Sequence, residues 1–389
     1  MQRHDLVIVG GGIHGVGIAQ AGAAAGYRVL LLEKTALAHG SSSRSSKLIH
    51  GGLRYLETAQ FALVQESLRE RRLLLGLAPE LVRLISFHVP VYQTTRRRPW
   101  QLQVGLGLYA LLAGLGPESG FEKLPRAHWA GLDGLSTEGL QAVFRYRDAQ
   151  TDDAALTAAV WRSAESLGAK LAMPACFLAA ELGENGAYIE YEVNGIGQDC
   201  EATVLINAAG PWAAALPERV RPRPPAPPLE LIRGSHILLP GQLASGAYYL
   251  EAASDGRAVF ALPHADGILV GTTECPYAGD PDLVAPNEGE CAYLRAVLER
   301  YFPAAVGHAP IASFAGLRVL PAGAARAFLR SRETQLVPDR RSRPRMVSVF
   351  GGKLTTYRAS AEKLLRLLRG SLPERRPRAD TRRLPLTPV

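Results

Sequence analysis

Short apolar runs separated by glycines organise the start of the chain. Residues 6–9 form an apolar run of the kind that a buried parallel strand shows. Residues 16–25 are rich in Ala and Gly, which suits a helix packed closely on a sheet, and residues 29–32 are a second apolar run that stops at Glu33. Residues 58–76 have helical apolar spacing with charges on the opposite face. A further helix is expected from Thr151, which caps it ahead of two acids in the first turn, and it stops at Gly168. Residues 170–206 alternate and turn at Asn-Gly, the pattern of a strand meander. The Pro-rich stretch 221–230 cannot be helical. Three strand-like segments of antiparallel character follow, then a helix over 360–368 and an Arg/Pro-rich tail. The order predicts an α/β nucleotide-binding domain from 1–85, 148–222 and 310–370. Residues 86–147 and 223–309 then form a cap, and 371–389 a poorly ordered tail.

Composition narrows the chemistry. The chain has 389 residues, is 47% hydrophobic and 21% charged, and carries a formal net charge of +8. That balance fits acidic small molecules, an anionic membrane surface or nucleic acid. The basic clusters at 96–98, 340–345 and 375–383 hold few aromatics and read as solvated faces; no nucleic-acid partner is expected. Four cysteines at 176, 200, 275 and 291 lack metal-type spacing. They point to a reducing compartment and to no zinc, iron–sulfur or other metal site. No apolar run reaches the ~20 residues of a spanning helix. A strand begins within the first residues, so no signal peptide is expected. A cytoplasmic protein, or one peripheral on the cytoplasmic face of the inner membrane, is the expectation.

The candidate chemistry begins at Gly10, Gly12 and Gly15, a G-x-G-x-x-G between the first strand and the first helix. The first glycine permits the turn, the second lets a pyrophosphate approach, and the third lets the helix meet the strand. Glu33 stands where a carboxylate can accept from a ribose diol. The motif alone leaves FAD and NAD open. Its place at the N-terminus leans toward FAD, as does "ATVLINAAGPWAAAL", a strand ending in small residues. "VSVFGGKLTTYR" ends a strand at a glycine pair and opens a helix, a positive terminus suited to negative charge. Residues 99–116 follow a triple arginine and suit either a helix lying in a lipid interface or a core helix under the cap.

Six stretches in order resemble one family: "SSSRSSKLIHGGLRYLE", "NAAGPW", "RGSHILLP", "VGTTE", "GLRVLP" and "FGGKLTTYR". The chain resembles the FAD-dependent, membrane-associated sn-glycerol-3-phosphate dehydrogenases over residues 4–368. The resemblance implies a Rossmann-like FAD domain of the glutathione-reductase or D-amino-acid-oxidase type under an antiparallel substrate cap. It implies oxidation of glycerol 3-phosphate to dihydroxyacetone phosphate by hydride transfer to FAD, with electrons passed to quinone at a membrane surface, and leaves room for a homodimer.

By the same resemblance, Arg54, Tyr55, His236, Thr272, Arg318, Arg332 and Lys353 would bind substrate. His236, Arg54, Lys353 and Arg318 would carry catalysis, the base being His236 or Arg54. FAD would meet Gly10, Gly12, Ile13, His14, Gly15, Glu33, Lys34, Ser42, Ser46, Lys47, Leu48, Gly51, Gly52, Cys176, Ala209, Gly210, Trp212, Arg318, Gly352, Lys353, Leu354 and Thr355. The hydroxyls and donors of 41–47 would wrap its diphosphate. Guanidinium forks suit a phosphate dianion, and a histidine suits a proton leaving near neutral pH.

The sequence also departs from the family. Relatives usually continue into a helical domain of roughly a hundred residues. The family's RPL reads Arg318-Val319-Leu320, and the Ala-rich loop at 321–331 replaces acidic residues. Two alternatives therefore stand: an FAD-dependent oxidase or dehydrogenase of a related 2-hydroxy acid or amino acid, and a non-catalytic FAD-binding module.

Overall fold

The computed structural model describes residues 2–114, 116, 118–323, 330 and 332–388. Among them two sheets dominate, one of nine strands and one of ten. The first is built on a parallel centre. Gln2–Val9 lies between Val29–Leu32 and Ile196–Asn207, which pairs in turn with Met346–Phe350. Lys170–Ala172 adds to the other edge. Leu6, Val7 and Ile8 are fully buried, as strands covered on both faces must be. Helix α1 (Ile13–Ala24) crosses between the first two strands, almost every residue buried. The chain is thus an α/β protein of the dinucleotide-binding type, with the ligand crevice at the carboxyl ends of the parallel strands.

The second sheet is largely antiparallel. Leu229–Leu239 pairs with Ala312–Pro321 over ten residues and with Gly267–Gly271. Val82–Tyr92 pairs with Leu140–Thr151. Helix α2 (Phe61–Leu77) and helix α3 (Pro99–Leu112) cover one part of it, and helix α5 (Glu288–Tyr301) another. Helix α4 (Asp153–Ser166) and helix α6 (Tyr357–Leu367) pack on α1 under the first sheet.

Several expectations shift. The helix expected from Thr151 is capped by Asp152, whose side chain accepts from the Ala155 N–H; Thr151 ends a strand instead. Strand Ala312–Pro321 belongs to the second sheet, although residues 310–370 read as nucleotide domain, because its register with Leu229–Leu239 is continuous. The tail at 371–389, expected to be poorly ordered, docks over its described residues, 371–388. Leu372 and Leu386 enter the core of the first sheet, the Leu386 N–H donates to Leu77 O at 2.7 Å, and Arg375 meets Asp5 at 3.0 Å. Two buried leucines hold the tail while the arginines between them stay exposed and keep their solvation. Residues 324–329 and 331 of the Ala-rich loop lie outside the described residues.

Helix α3 packs as a core helix on one face and exposes apolar residues on the other. Leu102, Leu106, Tyr109 and Ala110 face the core, while Trp100, Val104 and Leu111 are 66%, 64% and 58% exposed on one outward stripe. No helix among the described residues is long and apolar enough to cross a membrane.

Candidate active site

Sheet ends and loops from both layers enclose one cavity of about 660 Å³, within the size range of cofactor and substrate pockets. Its nucleotide end is built from bare backbone. Gly10 has φ +111°, and a Cβ there would lie 2.5 Å from the Ala208 carbonyl oxygen. At Gly15 a Cβ would stand 1.8 Å from the Gly10 oxygen, so α1 can start only with glycine at that point. The first turn of α1 holds no acid, and its positive end faces the cavity. Glu33 is fixed at the strand end by two backbone donors, Gly11 N–H at 2.6 Å and Thr35 N–H at 2.8 Å. An anionic diphosphate with a ribose beside it fits this donor set. Lys34, Cys176, Ala209, Gly210 and Trp212 line the same end. Lys34 Nζ lies 4.1 Å over the Trp212 ring and pairs with Asp282, which reaches across from the cap.

The serine-rich segment lines the cavity with Ser41, Ser42, Ser45 and Ser46 and also serves as a set of joints. Ser42 Oγ accepts from the Ile13 N–H at 2.9 Å, and Ser41 Oγ donates to Leu317 O at 2.6 Å. Ser45 Oγ and Lys47 Nζ both bind Asp153, at the start of α4. Lys47 therefore turns away from the cavity, as do Gly15 and Gly51; Gly51 packs where a Cβ would meet Tyr109 Oη at 2.4 Å. Ser42, Ser46, Leu48 and Gly52 remain on the cavity wall, with Ile13, His14, Gly352, Leu354 and Thr355.

The other end is cationic. Arg54 enters from the 3-10 turn Leu53–Thr58, Arg318 from strand Ala312–Pro321, Arg332 from the segment after the loop, and Lys353 from the glycine pair before α6. Arg318 donates to Thr272 Oγ1 at 3.0 Å and Thr273 O at 3.2 Å. Burial, with Arg332 beside it, lowers Arg318 to about 9, so it remains charged at pH 7. Lys353 Nζ sits 3.7 Å over the Tyr55 ring. His236 is buried, its Nε2 2.9 Å from Ser46 Oγ and its ring stacked on Phe314. Burial, then Arg318 and Lys47, bring it down to about 3, so the imidazole is neutral.

Sequence reasoning passed over three residues at this end. His50 sits inside "SSSRSSKLIHGGLRYLE" with nothing local to mark it; it lines the cavity, and burial with the fields of Lys353, Arg332 and Arg54 lowers it to about 3. Arg257 precedes strand Ala258–His264 and brings a fourth guanidinium. Glu274 closes the "VGTTE" stretch and stands among the four guanidiniums, bonded to Arg332. Its position after a threonine pair was the available signal, and nothing local distinguished it from a surface acid. Among the described residues, no cluster of His, Cys, Asp and Glu could hold a metal ion, and the four cysteines are free.

Comparison with known proteins agrees with this geometry. Residues 5–358 match the FAD dependent oxidoreductase family. The chain is 38% identical over 376 residues to a glycerol-3-phosphate dehydrogenase of Pseudomonas aeruginosa, covering 93% of this chain and 71% of that protein. It is 34% identical over 381 residues to a D-erythritol 1-phosphate dehydrogenase of Brucella abortus, covering 95% and 74%. The structure of the glycerol-3-phosphate dehydrogenase from Bacillus halodurans complexed with FAD superposes with a TM-score of 0.77 at 25% identity, covering 99% of this chain and 68% of that one. The cofactor is FAD, and the bare-glycine cradle, the open α1 terminus and Glu33 are the groups that suit it. The chain belongs to the FAD-dependent oxidoreductases, in the family of the FAD-dependent glycerol-3-phosphate dehydrogenases.

Proposed function

We propose that this flavoenzyme oxidises the secondary alcohol of a short polyol phosphate, sn-glycerol 3-phosphate first among them, to the corresponding ketone. The observation that carries this reading is the convergence of Arg54, Arg257, Arg318, Arg332 and Lys353 beside two neutral imidazoles. A phosphate dianion takes the guanidinium forks, which hold the carbinol at a set distance. The alcohol must lose a hydride from carbon and a proton from oxygen. Bound FAD supplies the two-electron acceptor. Burial and the cations hold His50 at about 3, too low for a base by itself; the substrate's phosphate dianion offsets their field and raises it, and His50 then takes the hydroxyl proton while the cations favour the alkoxide that forms. His236, already paired with Ser46, orients the segment that carries His50.

The acceptor after FAD is proposed to be a quinone at a membrane surface. The outward stripe of Trp100, Val104 and Leu111 on α3, with exposed Arg96 and Arg98 at its start, supports a peripheral attachment. D-erythritol 1-phosphate is the second substrate reading, favoured by the similarity to an enzyme named for it.

The test is anaerobic addition of each phosphate to the purified holoenzyme while following the flavin's visible absorbance. Bleaching by glycerol 3-phosphate at stoichiometric addition supports the first reading, and faster bleaching by the erythritol phosphate the second. Bleaching only by a free hydroxy acid or amino acid would reject both.

A further inference from the structure

Four guanidiniums in one pocket repel each other unless something anionic stands between them. Glu274 does. Its side chain is 5% exposed. Arg332 donates to it directly. Arg54 Nη1 and Arg257 Nη2 approach it to 3.6 Å and Arg318 Nη1 to 3.9 Å, charge contacts longer than hydrogen bonds. Burial alone would favour the protonated acid, but the fields of Arg332, Arg318, Arg54 and Arg257 outweigh it and hold the carboxyl below its ordinary value. The four arginines come from four separate segments of chain. One carboxylate is their common contact, although Arg257 also reaches Asp255 at 4.0 Å.

We propose that Glu274 is a built-in competitor for the arginine cluster: it parks the guanidiniums before substrate arrives and then weakens their grip on the phosphate enough for product to leave. The inference rests on the phosphate reading of this end of the cavity. A carboxylate and a phosphate in the same cluster repel, and the repulsion scales with the ligand's charge. Removing the carboxylate's charge therefore tightens every anion and tightens a dianion most. A merely structural role has the opposite sign. Arginines that lose their anchor wander, and all anions then bind more weakly. Glu274 acts through the arginines, and it is a positioning residue.

The experiment titrates holoenzyme with sulfate and, separately, with acetate, reading the perturbation of the flavin spectrum and competition with glycerol 3-phosphate. For Glu274→Gln, sulfate should bind at least about tenfold more tightly than to the wild type and acetate about threefold, the smaller charge feeling the smaller change. KM should fall, and kcat should fall with it as product release slows. Sulfate binding unchanged or weakened in Glu274→Gln overturns the proposal. Glu274→Asp keeps the charge but is too short to hold Arg332 in the same place. Its sulfate affinity should stay within threefold of the wild type or tighten, and a larger loss overturns the proposal even if the Gln variant fails to fold. Wild-type enzyme whose flavin and turnover both ignore sulfate would reject the phosphate reading itself, and this inference with it.

Discussion

Lys353 Nζ lies 3.7 Å from the centroid of the Tyr55 ring, a cation held against an aromatic face inside a pocket of guanidiniums. Burial lowers Lys353 to about 8, although Tyr55 works to raise it. Burial alone would raise the Tyr55 phenol, but the fields of Arg332, Lys353 and Arg54 outweigh it and bring it down to about 8. Both shifts act in one direction for an anionic ligand. As pH rises through 8 the pair loses positive charge, by neutralising the lysine or ionising the phenol.

KM for a phosphate substrate should therefore rise at least about threefold between pH 7.5 and pH 9, a range in which the phosphate, with its second pKa near 6, is already a dianion. In Lys353→Met the rise should shrink to the part owed to Tyr55. A wild-type KM that falls with pH would refute the assignment. Initial rates across the pH series decide it.

The proton acceptor can be separated from its neighbour. His50→Gln should lower kcat by about 10²–10⁴, the usual contribution of a positioned base. His236→Gln should raise KM more than it lowers kcat, because His236 is engaged with Ser46 and Phe314. Stopped-flow flavin reduction under anaerobic conditions reads both. The reverse ranking would move the base to His236.

Arg358 closes the family-like stretch "FGGKLTTYR", yet it serves the fold. Its Nε and Nη2 reach Glu70 Oε2 and Oε1 at 2.8 and 2.7 Å, tying α6 to α2 with both side chains at most 3% exposed. Glu70→Gln leaves a buried guanidinium with Glu362 and Thr381 as its other partners. The loss should cost about 3 kcal/mol, at the lower end for a broken buried pair. Urea unfolding should register it, and a change under about 1 kcal/mol would contradict the burial argument.

The outward stripe of α3 makes a contrast of variants possible. Val104→Glu and Leu111→Glu should release the protein from anionic vesicles while leaving FAD content and soluble turnover unchanged. Leu106→Glu, on the buried face of the same helix, should instead destabilise the cap. Co-sedimentation with vesicles tests the first pair; undiminished binding would return the stripe to an ordinary exposed surface.

Much of this molecule is legible in one dimension. Strands buried on both faces are mostly apolar, so residues 6–9 and 29–32 announce the parallel centre of the first sheet; 347–350 interrupts its apolar run only at Ser348, whose hydroxyl accepts from Asn207 on the neighbouring strand. Gly10 and Gly15 are demanded by approaches too close for any Cβ, and Glu33 follows its strand at the position from which a dinucleotide fold reaches a ribose. These are local requirements, and local spacing records them. Other features depend on distance across the fold. The docking of residues 371–388 rests on two leucines finding a core assembled from remote segments. Lys47 looked like a phosphate ligand until the start of α4 placed Asp153 against it. The outer face of α3 is apolar either way; only packing on α2 and the second sheet settles which side meets solvent. The convergence of Arg54, Arg257, Arg318 and Arg332 on Glu274 is set by the register of the second sheet, where Ile232 faces Arg318 and Arg233 faces Cys275. Charge interacts through space and leaves no period along the chain, so the electrostatic centre of the site emerges only once the sheet is assembled.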